Sequence, residues 1–412
     1  MHKDISNSKT SNRLYLRTEG ILPVQKLKVL AQYGVIKAPD QYPLTDDQFQ
    51  PNSIDLRLGE TAYRVRCSFL PENESVERKL GRLTQHSFSI KDGAVLEPNC
   101  TYIIPLLEEL HLPFSEVLIQ QNLFHKFEND VDLILISDEH LTAKTNPKSS
   151  TGRLDIFTRV ITDYSHRFEE ISAGYSGKLY LEVVPKSFPI RIRTGQRLNQ
   201  LRISNGMIRL SDQDILRTHV RDSILFYENG DPIPSDQLKL REGLFMSVNL
   251  QGKEGQVIGY KAKKHRDLID LDKTNHYKVS DFWDPIYAKG EDSIILEPEA
   301  FYIFASKERC RIPVNLAAEM VPYDTGSGEL RTHYAGFFDS GFGGTVEDRG
   351  ARAVLEVRSH DVPFLIEDGQ TFFRMIFEPN TEIPEFIYGK KISSHYQGQD
   401  LKLGKHFKIN GD

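Results

Sequence analysis

Apolar and polar residues alternate in short runs along most of this chain. SIDLRLG, TAYRVRCSF, DIFTRVIT, KLYLEVV, IRIRTG and LNQLRIS switch with a period of two and are rich in β-branched and aromatic residues. That period puts successive side chains on opposite faces of an extended strand. Gly, Pro and Asn interrupt the runs every several residues. The pattern therefore predicts many short strands joined by turns, as in a sandwich or closed barrel. One stretch departs from it. Pro23 stands where a first-turn proline belongs, Leu27, Leu30 and Ala31 share a face, and Gly34 follows as a stop, which predicts a helix.

The runs also repeat. Leu96-Glu97-Pro98 returns as Leu296-Glu297-Pro298, Tyr102-Ile103 as Tyr302-Ile303 and Pro113 as Pro313, a constant offset of 200. Further on, Leu181-Glu182-Val183 returns as Leu355-Glu356-Val357, Pro189 as Pro363 and Gly195-Gln196 as Gly369-Gln370, at an offset of 174. The difference between 200 and 174 assigns 26 extra residues to the first copy. Self-similarity in this order indicates a tandem duplication. The predicted organisation is a loose tail over 1–12, a first β domain over 13–210 with an insertion at about 114–145, and a connector over 211–240. A second β domain over 241–390 and a tail over 391–412 complete it.

Charge and composition narrow the function. The 412 residues carry 52 basic and 58 acidic side chains, a net charge of -6, which argues against a protein that coats nucleic acid. No apolar run reaches the ~18 residues that span a bilayer, and the polar start lacks a signal-peptide core, so a cytoplasmic protein with no membrane partner is expected. Three cysteines, widely spaced, and thirteen histidines outside any HxE or HxxxH pattern give no disulfide framework and no zinc site.

Local chemistry concentrates in a few segments. NPKSSTGRLD (146–155) packs hydroxyl residues, glycine and two cations between strands, which suits an anion such as a triphosphate, or an ordinary polar loop. Glu182 and Glu356 interrupt apolar strand runs at the same place in each copy. Either carboxylate points outward or, turned into a cleft, has its pKa raised and shuttles protons. ISAGYSG (171–177) and FFDSGFGG (337–344) are aromatic-glycine turns that suit a base or merely plug a hairpin tip.

Taken together, QPNSIDLRLG (50–59), NPKSSTGRLDIFTRVITD (146–163), GYSGKLYLE (174–182), GQRLNQL (195–201) and HYQGQDLKLGKHF (395–407) resemble the dCTP deaminase and dUTPase superfamily, and most closely its long, internally duplicated dCTP deaminases. The resemblance implies a mainly β chain of two tandem dUTPase-like distorted β-barrels, jelly-roll-like, with a few short helices. It implies hydrolysis of dCTP to dUTP and ammonia in pyrimidine deoxynucleotide biosynthesis. No zinc takes part: magnesium rides on the nucleotide triphosphate and a glutamate activates water. Glu182 matches the catalytic glutamate, with Glu356 as its counterpart, and Ser149 and Arg153 complete the catalytic set. Lys148, Ser150, Thr151 and Gly152 match the phosphate loop; Tyr175, Tyr180, Leu181 and Asp339 match base-side positions; Tyr388 and Gln399 match a closing tail. Homo-oligomers with threefold-type packing and feedback by dTTP are further expectations.

The two copies depart from the family pattern in opposite ways. Copy one has Ser172-Ala173 before its hairpin glycine where an acid is usual, and copy two keeps Asp339. Copy two has DTGSGELR (324–331) in place of KSSTGR, retaining Arg331, and His395 stands where a lysine is usual. A composite site joining 148–153 with 337–344 and Glu356 is one consequence; a site built on Glu182 in copy one is the other, and the first choice. The alternatives to a deaminase are a dUTP pyrophosphatase, a bifunctional deaminase and pyrophosphatase, or a non-catalytic nucleotide-binding regulator on the same scaffold.

Overall fold

A computed structural model of the chain describes residues 14–16, 19–112, 134–136, 141–206, 209–290, 292–322, 330–332, 336–344, 348–359, 361–389 and 400–408. The expected N-terminal tail, most of the insertion, the loop 324–329, His395 and Gln399 lie outside the described residues.

The sequence repeat is a repeat of strand pairing. In the first half, Thr101–His111 lies between Thr61–Val65 and Ser176–Pro185, flanked by Thr84–Ser89 and Ile156–Thr162. In the second, Phe301–Cys310 lies between Val257–Ala262 and Ala351–Ser359, flanked by Trp283–Tyr287 and Leu330–Thr332. A second sheet repeats too. Arg197–Asn205 lies between Ile54–Arg57 and Leu141–Pro147, and Thr371–Pro379 lies between Leu244–Ser247 and Leu316–Pro322. All these pairings are antiparallel. Register is kept: Glu182 faces Ile103, and Glu356 faces Ile303. Leu141–Pro147 has a counterpart in Leu316–Pro322, so the extra stretch of the first half ends before Leu141. The mainly β expectation with few short helices holds.

Helices appear where local chemistry favours them. Val24–Gln32 starts after Pro23, buries Val24, Leu27 and Leu30, and stops before Gly34 at φ 74°, a left-handed conformation that suits glycine. The stretch expected to connect the halves is itself structured. Ser211 accepts from the Asp214 amide to cap Asp212–Arg221, and Ile215 of that helix joins the second-half core. Leu225–Phe226 then pairs with Phe301–Cys310.

The halves pack tightly against each other. Every residue of Ala351–Ser359 is buried, because both faces of that strand are covered. Ala353, Leu355 and Val357 belong to the core of the second half, whereas Val354 belongs to the core of the first. Glu356 and Arg358 follow Val354 at a period of two and so share its face, toward the first half. Ile190–Ile192 also pairs in parallel with Ile269–Asp270, and Phe188 meets Trp283 edge-on at 5.6 Å.

Candidate active site

The loop after Leu141–Pro147 forms a single helical turn, Ser149–Gly152. The Lys148 carbonyl accepts from the amides of Thr151 (2.8 Å) and Gly152 (3.1 Å), and the Thr151 hydroxyl donates to the Leu198 carbonyl (2.7 Å). These bonds fix the loop against Arg197–Asn205. Lys148 pairs with the buried Asp55. Ser149 is exposed, Ser150 half-buried, and Thr151, Gly152 and Arg153 are buried.

Glu356 reaches this loop from the other half. A β-carbon placed on Gly152 would lie 2.7 Å from the Glu356 carboxyl carbon, so any larger residue there would displace the carboxylate from its present position. Burial pushes the Glu356 carboxyl up to about 8; the Arg153 charge opposes that rise and the Asp155 charge adds to it. Among the described residues no hydrogen bond holds the Glu356 carboxyl. Two residues on, Arg358 pairs with Asp155 at the end of the loop, so the strand and the loop dock at two points.

Glu182 occupies the matching position with different neighbours. Its Oε1 accepts from Arg159 Nη2 (2.6 Å) and Nε (3.1 Å), and Arg159 stacks over Phe168 at 3.6 Å and Phe157 at 4.7 Å. Arg159 Nη2 also donates to the Ser68 hydroxyl (2.7 Å). Register further places Arg331 opposite Arg358, as Phe157 lies opposite Val184. Arg331 is thus the counterpart of Phe157, not of Arg153.

The hairpin of the second half comes to the same place. Arg202 Nη2 donates to Asp339 Oδ1 at 3.1 Å, Arg202 Nη1 donates to the Ala318 carbonyl at 3.1 Å, and the guanidinium lies 4.0 Å from the Phe337 ring centroid. Burial raises the Asp339 pKa; Arg202 opposes the rise, and the charges of Asp55 and Lys148 also reach the group. Asn52 Oδ1 accepts from the Ser340 amide and hydroxyl, both at 2.8 Å. Tyr388 donates its amide to the Ser340 carbonyl (2.9 Å), and its ring lies tilted against Phe342 at 5.6 Å.

Three expected base-side residues stand elsewhere. Leu181 is core, Tyr180 is buried in a small cluster with Val76 and Leu80, and the Tyr175 hydroxyl donates to the Lys178 carbonyl. Burial raises both tyrosine pKa values. Among the described residues, none of their hydrogen bonds or ring contacts reaches 148–153.

A cavity of about 320 Å³ opens beside the loop. Lys148, Ser150 and Thr151 line it together with Arg197, Lys405 and His406. The tail segment is held down: the Lys405 carbonyl accepts from the Asn275 amide (2.8 Å), the His406 carbonyl from the His276 amide (2.9 Å), and the Lys402 carbonyl from Arg153 Nη1 (2.9 Å). Burial lowers the Lys405 pKa, and the Lys148 charge lowers it further, so the cavity gathers cations that an anion would relieve. Asp55 and Asp272 are the opposing acids; the first is held by Lys148, the second by Arg193 and Gln196. Arg197, Lys405, Asp55 and Arg202 all lie inside or beside the motif segments, but single-residue pattern reading gives no reason to select them. Among the described residues no cluster of three His, Cys, Asp or Glu side chains is placed to hold a metal ion. No helix among them is long and apolar enough to cross a membrane.

Comparison with known proteins places both halves. The 2'-deoxycytidine 5'-triphosphate deaminase N-terminal domain family matches residues 18–122 and 130–207, and the C-terminal domain family matches 211–407. A dCTP deaminase of Sulfurisphaera tokodaii is 26% identical over 186 residues, covering 44% of this chain and 77% of that protein. One of Acidianus ambivalens is 26% identical over 160 residues, covering 39% and 70%. The crystal structure of 2'-deoxycytidine 5'-triphosphate deaminase from Agrobacterium tumefaciens superposes with a TM-score of 0.78 at 42% identity, covering 91% of this chain and 99% of that one.

Proposed function

This chain belongs to the dCTP deaminase family, an enzyme family converting dCTP to dUTP, and we propose that Glu356, rather than Glu182, is its proton-transferring carboxylate. The observation that carries this is the contact of Glu356 with Gly152, which joins a buried carboxylate of one half to the hydroxyl-rich loop of the other. Glu182 is already committed to Arg159.

The proposed reaction uses this geometry in order. The phosphates lie among Lys148, Arg197 and Lys405, with Ser150 and Thr151 lining the same cavity. Magnesium, if carried, enters on phosphate oxygens, and its chemistry is charge neutralisation there. The cytosine lies toward Gly152 and Glu356. Ionised Glu356 takes a proton from water as the water oxygen bonds to C4, and passes that proton to N3. The carboxylate then takes the remaining proton of the C4 hydroxyl and gives it to the exocyclic amine, which leaves as ammonia as the C4 oxygen becomes the carbonyl of dUTP. The Arg153 charge beside Glu356 favours the ionised carboxylate. Ser149, exposed at the head of the turn, is the proposed hydroxyl partner of the attacking water. Threefold-type oligomers and dTTP feedback remain parts of the proposal that rest on the family resemblance.

Incubation of the full chain with dCTP tests the reading. Stoichiometric dUTP and ammonia are expected, with turnover by Glu356→Gln lowered about 10³-fold. Accumulation of dUMP and pyrophosphate would show the bifunctional reaction, and full activity of Glu356→Gln would overturn the residue assignment.

A further inference from the structure

The Leu-Glu-Pro turns that betray the duplication serve no purpose in the deamination site, yet the fold brings them face to face. Pro98 and Asn99 of the first turn, and Glu299 and Ala300 of the second, line one cavity of about 490 Å³ between the halves. That volume lies in the ~300–1,000 Å³ range of small-molecule sites. Asn99 at φ 59° and Glu299 at φ 57° hold matching left-handed turns, so both walls are conformationally defined.

The walls are mainly cationic. Lys186, Lys263, Lys264, Arg266 and Arg358 line the cavity against two carboxylates, Glu97 and Glu299. Lys263 is committed to the Ser280 carbonyl (2.6 Å) and to Asp284 (3.4 Å). Lys264 and Arg266 are exposed and form no ion pair among the described residues. Among the described residues the Lys186 side chain makes one hydrogen bond, of 3.4 Å to Asn99 Oδ1. The fifth cation is of a different kind. Arg358 is 5% exposed, and its Nε has no hydrogen-bond partner among the described residues. A buried donor left unmet is costly, so this side chain has a reason to move when a new acceptor comes near.

Arg358 also touches the catalytic machinery. It pairs with Asp155, whose Oδ2 accepts from the Ser187 hydroxyl (2.5 Å) and whose amide donates to the Gly152 carbonyl (2.8 Å). Ser187 lines the same cavity. One arginine thus separates the cavity from the end of loop 148–155.

We propose that this cavity is a second, non-catalytic anion site for a small phosphorylated molecule, and that filling it draws Arg358 from Asp155 and so alters the catalytic loop. The occupant supplies phosphate oxygens to Lys186, Lys264, Arg266 and Arg358, an arrangement of charge-assisted hydrogen bonds.

Inorganic pyrophosphate is the probe, titrated calorimetrically into the full chain at constant ionic strength. Two pyrophosphates per chain are expected for the wild type, one for Lys264→Glu/Arg266→Glu and one for Lys148→Ala/Lys405→Ala. Equal stoichiometry of the wild type and Lys264→Glu/Arg266→Glu would overturn the site. At saturating dCTP, where competition in the nucleotide cavity is suppressed, pyrophosphate is expected to change kcat at least twofold in the wild type and not in Lys264→Glu/Arg266→Glu. An unchanged wild-type kcat with two anions bound would overturn the coupling. The stoichiometry does not depend on which glutamate transfers protons, so it stands or falls separately from the deamination site.

Discussion

Glu182 and Glu356 hold the same register in the same strand of duplicated sheets, yet one is an ion-pair partner and the other, among the described residues, has neither ion pair nor hydrogen bond. Glu182 faces Ile103 on one side and receives Arg159 from the neighbouring strand of its own sheet. Glu356 faces Ile303 and receives Gly152 from the other half. Burial without a hydrogen bond pushes the Glu356 carboxyl toward protonation. Strand position sets where a carboxylate points, and the surface that covers it sets its chemistry.

Paired substitutions test that contrast most sharply. Glu356→Gln is expected to lower kcat by about 10³-fold, within the ~10²–10⁴ range of general acid–base catalysis, while Glu182→Gln lowers it less than about tenfold. Steady-state rates with dCTP compare them directly; a larger loss at Glu182 would reverse the assignment. Gly152→Ala comes next. Its methyl cannot coexist with the present Glu356 carboxyl, so kcat should fall by about 10²-fold, as misplaced catalytic groups do. Near-wild-type turnover would mean that the contact is not needed.

The pH profile follows in size. Glu356 titrates near 8 in the folded free enzyme, so kcat/KM should climb about tenfold per pH unit below that value and level above it. A profile already flat from pH 5 upward would deny Glu356 the role. The same shift has a stability consequence with a definite sign. A raised folded pKa means the folded state binds the proton more tightly, so stability is lost as pH rises from about 4.5 toward 8. Glu356→Gln should therefore gain Tm over the wild type at pH 8 but not at pH 4. The smallest expected effect lies on the other side of the comparison. Arg159→Met strands the Glu182 carboxylate and should cost about 2 kcal/mol in urea unfolding, less than the ~3–5 of a fully buried pair because Arg159 is partly exposed, with kcat retained.

Much of this architecture was legible in advance, for local reasons. Period-two alternation reports strands because each residue's face depends only on its neighbours. Pro23 and Gly34 mark the first helix through their own backbone limits. The duplication is written in Leu-Glu-Pro and Leu-Glu-Val, and the loop 148–153 in its hydroxyl residues. The partner of that loop was not fixed by such means. Glu182 and Glu356 look alike in sequence, and only packing between residues two hundred positions apart separates them. Asp212–Arg221 escaped for a different reason: its polar face and flanking turn residues read as a linker, and of its buried residues Ile215, Thr218 and His219 only the first is apolar. Lys405 and Arg197 escaped because cations are common and their convergence on one cavity is a property of the folded chain.

The contact of Gly152 with Glu356 has a consequence for how the enzyme behaves in dilute solution. Loop and carboxylate belong to one polypeptide, so they meet by folding, at an effective concentration set by the chain and not by the amount of protein present. For this pair of groups, specific activity should be indifferent to dilution. A ring of separate single-domain subunits that shared such a pair between neighbours would lose it as the ring came apart.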